Sequence, residues 1–130
     1  MSSRRENFST GSHFEKTFGY SRAVKVGETV YLSGTVGLNY ETGTFPADPV
    51  DQFHQAISNI KLGLGMAGAR LEEVVEIVVY VVSPNTMTAI GPALGETFGN
   101  IRPTNTALVV GFPFPEIQLE IKVTAIIGCA

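Results

Sequence analysis

Cysteine is nearly missing from this chain: its 130 residues hold one, Cys129, beside the C-terminus. A disulfide framework and a thiolate metal site are thereby excluded, and with no His near it in sequence the thiol is a poor nucleophile. Charge of one sign is also scarce. Nine Lys and Arg stand against twelve Asp and Glu, giving a net charge of -3 without any run of like charges. That balance argues against nucleic acid as an electrostatically driven partner. No run of about 18 apolar residues, the length of a membrane-spanning helix, is present. The polar start Met1-Ser2-Ser3-Arg4-Arg5-Glu6-Asn7 has no signal-peptide core. A soluble, cytoplasmic protein with no membrane partner is expected. His13 and His54 have no companion at metal-ligand spacing, so no metal site is expected either.

What is there fits one domain with a single core, at 44% hydrophobic residues. Residues 1–12 read as a loose arm. Val24 to Leu32 reads as two β-rich segments joined by a tight turn at Gly27. After a turn-rich loop from Asn39 to Pro46, Asp48-Pro49 supplies an N-cap with proline at the first helical position. Phe53, Ile57, Ile60 and Leu64 then recur at helical spacing, predicting a helix over residues 49–67 capped by Gly68. The run from Val74 to Val82 is β-branched and apolar on both faces, as a central strand would be. Ser83-Pro84-Asn85 opens a second helix carrying Met87, Ile90, Leu94 and Phe98, interrupted or kinked at Pro92 and ended by Gly99.

Two strands complete the chain, Thr106 to Phe112 and Ile117 to Ile127. In the last one Ile117, Leu119, Ile121, Val123, Ala125 and Ile127 point one way, while Gln118, Glu120, Lys122 and Thr124 point the other. The expected architecture is a two-layer α+β sheet with two helices on one face. Tyr31, Val74, Val78, Tyr80 and Val82 would leave the other face too apolar for a monomer, so the sheet is expected to oligomerise.

Two motifs carry little. Gly63-Leu64-Gly65-Met66-Ala67-Gly68 matches G-x-G-x-x-G, but at the end of a helix, where a phosphate would meet the wrong pole of the dipole. Helix packing and termination explain these glycines better. Glu72, Glu73 and Glu76 read as a hydrated strand edge.

The segment Ile101-Arg102-Pro103-Thr104-Asn105-Thr106-Ala107-Leu108 is followed by Gly111-Phe112-Pro113 and then Gln118-Leu119-Glu120-Ile121-Lys122-Val123-Thr124-Ala125. It resembles the signature of the RidA (YjgF-type) enamine/imine deaminase family: Pro-Ala-Arg-Ser/Thr, an apolar strand, Leu-Pro, and a strand with Glu-Ile-Glu-Ala. Gly19-Tyr20-Ser21-Arg22-Ala23-Val24 is similar to the family's Pro-Tyr-Ser-Gln-Ala-Val, and Ser33-Gly34-Thr35-Val36-Gly37 to its Ser-Gly-Gln-Ile/Leu-Pro. The resemblance runs from about Phe18 to Ala125. It implies a chorismate-mutase-like fold with a mixed six-stranded sheet and a homotrimer with ligand clefts between subunits. It implies no cofactor.

Carried over residue by residue, the resemblance makes Glu120 and Tyr20 the groups that polarise substrate or water. Gly34 and Thr35 become the backbone beside the ligand, and Asn105 and Ala107 line the cleft. Asn105 stands where the family has Arg, which holds a substrate carboxylate in a two-pronged pair. An amide there forfeits about 2–4 kcal/mol of charge-assisted binding for a 2-imino acid. Arg22 and Arg102 are candidates for a relocated positive charge, with a surface or inter-subunit ion pair as the alternative for each. The leading function is an enzyme acting on a small imine, enamine or related unsaturated keto metabolite of one particular pathway. A non-catalytic trimer that binds a metabolite or protein, or shields clients as a chaperone, is the alternative, and a ribonuclease ranks last.

Overall fold

The computed structural model describes residues 4–130. It has ten elements in chain order: β1 (Arg5–Phe8), α1 (His13–Phe18), β2 (Ala23–Val26), β3 (Thr29–Val36), α2 (Pro49–Met66), a 3-10 turn (Leu71–Glu73), β4 (Val74–Val81), α3 (Pro84–Phe98), β5 (Thr104–Val109) and β6 (Leu119–Ile126). The strands form one mixed sheet in the order β1-β2-β3-β6-β4-β5, in which β4 and β5 run parallel and every other neighbour is antiparallel. Helices α2 and α3 pack together over the sheet, and α2, β3, β4 and β6 supply most of the core. Among the described residues, no helix is long and apolar enough to cross a membrane.

Local chemistry explains most boundaries. The β2–β3 hairpin turns through Gly27-Glu28, with Gly27 at φ +60°, a conformation open to glycine without steric cost. Helix α2 begins where the Asp48 carboxylate accepts from Asp51 N at 3.1 Å, ahead of Pro49. Its end is a Schellman motif: Ala69 N donates to Leu64 O at 2.9 Å and Gly68 N to Gly65 O at 3.1 Å. Gly68, at φ +82°, therefore stands one residue past the cap, which is Ala67. Gly63 lets the helix approach the sheet, since a Cβ there would come within 2.6 Å of Leu32 Cδ1. The glycine cluster thus serves packing and termination.

Several expectations are corrected. Residues 5–8 of the expected loose arm form a strand: β1 pairs with the free edge of β2, Arg5 opposite Val26 and Phe8 opposite Ala23. Met1 to Ser3 lie outside the described residues. Backbone pairing on an exposed edge asks for no apolar alternation, so the polar sequence concealed it. A third, short helix follows, α1, with Ser12 Oγ accepting from Glu15 N at 3.1 Å and Gly19 closing it at φ +72°. Pro92 does not interrupt α3, which runs unbroken from Pro84 to Phe98. Proline there costs one backbone donor on an exposed side, where water can replace it.

Val74 belongs to the core, because the β4–β6 register shifts between Val74 and Glu76 and turns it toward the helices. Val78 and Tyr80 do lie half-buried on the open face, with Tyr31 exposed there. Glu73 is buried, unlike Glu72 and Glu76: its carboxylate accepts from Gly128 N at 2.7 Å and Arg70 N at 2.9 Å. These bonds hold it below the usual glutamate range and fasten the C-terminal turn to the start of β4.

Candidate active site

Glu120 stands on the open face of β6 because Leu119 and Ile121 on either side of it enter the core. Its strand neighbours are Val36 on β3 and Tyr80 on β4. The carboxyl group lies over Gly34, where a Cβ would overlap Oε2 and stand 2.8 Å from Cδ. Gly34 sits inside the register shift of β3 between Leu32 and Thr35, an irregularity that re-aims the chain next to the carboxyl. Burial pushes the Glu120 carboxyl above the ordinary glutamate range, and the charge of Arg22 opposes that shift.

Arg22 directly precedes β2 and continues its pairing. Its N–H donates to Phe8 O at 2.9 Å and its carbonyl accepts from Ser33 N at 3.0 Å. Since Ala23 points into the core, Arg22 points to the open face with Glu120. One hydrogen bond and two electrostatic contacts place its guanidinium: Nη1 donates to Gly34 O at 3.2 Å, the buried Nε has no hydrogen-bond partner but lies 3.6 Å from Glu15 Oε2, and the group stands 5.8 Å from the Tyr20 ring centroid. The last is within cation–π range. The side chains of Arg22 and Glu15 are 13% and 3% exposed.

Glu15 is held just as closely. Its carboxylate accepts from Ser9 Oγ at 2.7 Å, Thr10 Oγ1 at 2.6 Å and Thr10 N at 3.1 Å. Burial works to raise its proton affinity, but these hydrogen bonds and Arg22 outweigh it and leave the carboxyl below the usual glutamate range. Tyr40 belongs to the same electrostatic cluster: burial around its hydroxyl raises its pKa, although half of the residue is exposed, and Arg22, Glu15 and Tyr20 all act on it. Thr35, expected beside the ligand, is instead 1% exposed, its side chain turned inward with the hydroxyl donating to Ser33 O at 2.9 Å, so within one chain it is closed to a ligand.

The remaining candidates form a second group. Asn105 and Ala107 are in register with Ile77 and Val79, which face the helices, so both lie on the helix side of β5. Asn105 borders a groove of about 330 Å³ with Leu94, Phe98, Arg102 and Pro103. Arg102, at φ +55° where the chain leaves α3, donates from Nη1 to Gly99 O at 3.4 Å. Strand β4 separates β5 from β6 and the two groups occupy opposite faces, so Asn105, Ala107 and Arg102 do not meet Glu120 within one chain. Tyr20, Arg22, Gly34 and Glu120 do come together.

Glu15 and Tyr40 are the residues that sequence reasoning missed. Ser12-His13-Phe14-Glu15 has the spacing of a capping box, which marks a helix start and could have disclosed Glu15. Tyr40 sits in a turn-rich loop with no comparable signal.

A six-stranded mixed sheet carrying two long helices on one face is the architecture of the RidA-type, chorismate-mutase-like class. Comparison with known proteins agrees. Residues 10–127 match the family described as Endoribonuclease L-PSP. The chain is 32% identical over 109 residues to the 2-iminobutanoate/2-iminopropanoate deaminase of Dermatophagoides farinae, spanning 83% of this chain and 85% of that one. Its structure is similar to that of a member of the YjgF/YER057c/UK114 family from Mycobacterium tuberculosis, with a TM-score of 0.85 at 34% identity, covering 95% of this chain and 100% of that one. Escherichia coli TdcF, crystallised with bound serine, gives a TM-score of 0.75 at 26% identity over 82% and 87% of the two chains. The protein belongs to the Endoribonuclease L-PSP family, the RidA/YjgF proteins.

Proposed function

We propose that the chain is an enzyme that hydrolyses a small imine or enamine, or moves a proton in a related unsaturated keto compound, at Glu120. One observation carries this reading: a half-buried carboxyl of raised proton affinity, laid over a glycine, with the Arg22 guanidinium near enough to act on it. A carboxyl tuned toward the working pH takes and returns a proton efficiently. In the hydrolytic reaction Glu120 removes a proton from water as its oxygen attacks the iminium carbon, giving a carbinolamine. The protonated carboxyl then delivers that proton to the nitrogen; as the C–N bond breaks, Glu120 takes the hydroxyl proton and passes it to the departing ammonia, so that ammonium and the carbonyl compound are released and the carboxylate is restored. Water is the only co-substrate. In this reading Tyr20, beside Arg22, hydrogen-bonds the substrate or the water.

The working cleft, in this reading, lies between the subunits of a homotrimer, where Asn105 and Ala107 of a neighbouring copy complete it. The supporting feature is β5, an edge strand with all six residues exposed, Leu108 and Val109 at 47% and 58%. The deaminase name of the Dermatophagoides relative supports the chemistry. Asn105, and Arg22 already paired with Glu15, favour a substrate that does not depend on a paired carboxylate.

The test offers the purified protein 2-iminobutanoate and 2-iminopropanoate, made in situ by an amino-acid oxidase, beside an uncharged aldimine. Hydrolysis above the buffer rate that disappears in Glu120→Gln supports the reading. No turnover of any of the three by a well-folded protein would return the weight to a binding module. RNA cleavage that persists through purification would return it to a ribonuclease.

A further inference from the structure

Arg22 has two carboxylates within reach of its charge, yet forms an ion pair with only one. Its Nε approaches Glu15 Oε2 at 3.6 Å, no ion pair joins it to Glu120, and its Nη1 is occupied by Gly34 O. Glu15 cannot easily release it, because Ser9 and Thr10 anchor both carboxylate oxygens and 3% of the side chain is exposed. We propose that Glu15 is a positioning residue of the Glu120 site: it draws Arg22 back, offsets part of its charge, and so keeps the guanidinium from pairing with Glu120.

The arrangement decides what kind of ligand the cleft accepts. A free guanidinium beside Glu120 would lock the carboxylate in its ionised form and repel a cationic substrate. With the charge of Arg22 partly offset by Glu15, Glu120 keeps its capacity to hold a proton, and a protonated imine meets a carboxylate that no guanidinium pairs. The other titratable groups on this face are Tyr80 across on β4, Lys122 two residues along β6, Tyr31 on β3, Glu76 on β4, and Tyr20 and Tyr40 at the cleft rim. Among the charges acting on Glu120, Arg22 is the one with a resolved effect.

This inference takes Glu120 as the reactive carboxyl from the reading above, but its test needs no turnover, so the two can fail separately. The titration of Glu120 is followed by carboxyl-carbon NMR in protein labelled at glutamate side chains, with the signal assigned through Glu120→Gln. The expected result is a downward shift of the Glu120 midpoint in Glu15→Gln, as the released guanidinium turns to Glu120, and an upward shift in Arg22→Gln. In the Arg22→Gln background, adding Glu15→Gln should leave the midpoint unmoved. An unchanged or raised midpoint in Glu15→Gln, or the same downward shift with Arg22 removed, overturns the proposal. Glu15→Asp, whose shorter side chain withdraws from Nε without removing the charge, must shift the midpoint in the same direction by a smaller amount. It replaces Glu15→Gln if that variant does not fold.

Discussion

The Glu120 carboxyl occupies the space that a side chain at Gly34 would fill. The two residues belong to neighbouring strands, and the register shift in β3 brings the glycine beneath the carboxyl group instead of beside it. Gly34→Ala should therefore displace the flexible end of Glu120 while leaving the sheet intact. A loss of about 10²-fold or more in kcat/KM is expected, the scale of losing one positioned proton-transfer group. Thermal unfolding should move little. A large fall in Tm with turnover preserved would show that the glycine serves packing and not the carboxyl.

Burial raises the Glu120 pKa above its unfolded value, which sets the sign of two pH effects. Stability from this group is fully present below the unfolded pKa, where both states are protonated, and is lost as pH rises through the folded pKa. Glu120→Gln removes that loss. The variant should thus melt higher than the native protein at neutral pH, with the difference closing under acidic conditions, as calorimetry across a pH series would show. Turnover should respond in the opposite way. In the proposed reaction Glu120 must be ionised to accept a proton from water, so kcat/KM should fall on acidification through a midpoint above the ordinary glutamate range. In Glu120→Gln activity should drop by about 10²–10⁴-fold while ligand binding persists.

Much of the fold was legible because its core elements carry strong periodicities. Leu119, Ile121, Val123 and Ala125 alternate without exception, and Phe53, Ile57, Ile60 and Leu64 keep helical spacing between an Asp-Pro start and a glycine stop. What stayed hidden is held by backbone or by single polar groups. Strand β1 exists through pairing with an edge, and Val74 changes faces through a register shift that no residue type announces. The start of β5 at Thr104, two residues before its apolar run, follows from parallel pairing with Glu76. In the site, Glu120, Tyr20 and Gly34 were reached through resemblance. Glu15 was not, because its importance lies in holding Arg22, a contact between a short helix and the lead-in to β2 that emerges only once the chain is folded.

Strand β5 offers its hydrogen-bonding edge and both of its faces to whatever surrounds it. Such a strand is an aggregation hazard unless another subunit covers it. Sedimentation at micromolar concentration should therefore find a trimer with no appreciable monomer. Val109→Asp, which puts a charge on that surface without touching the core, should shift the population toward monomer and abolish turnover together with assembly. A monomeric native protein with full activity would rule out a shared cleft.

Asn105 tests the substrate class most directly, because it differs from the family pattern at the group that would hold a carboxylate. Asn105→Arg places a guanidinium on the helix side of β5, where the residue is exposed and bordered by a groove with room for a longer side chain. If a neighbouring copy brings that position over Glu120, the new charge-assisted pair should strengthen binding of 2-iminobutanoate by about 2–4 kcal/mol, a gain of roughly 30- to 1000-fold in kcat/KM. An uncharged aldimine gains nothing from the same change and should be turned over at an unaltered or lower rate. Opposite responses of the two substrates would establish both the shared cleft and the reason the native residue is not arginine. Equal responses would place position 105 outside the cleft and leave Arg22, held by Glu15, as its only nearby guanidinium.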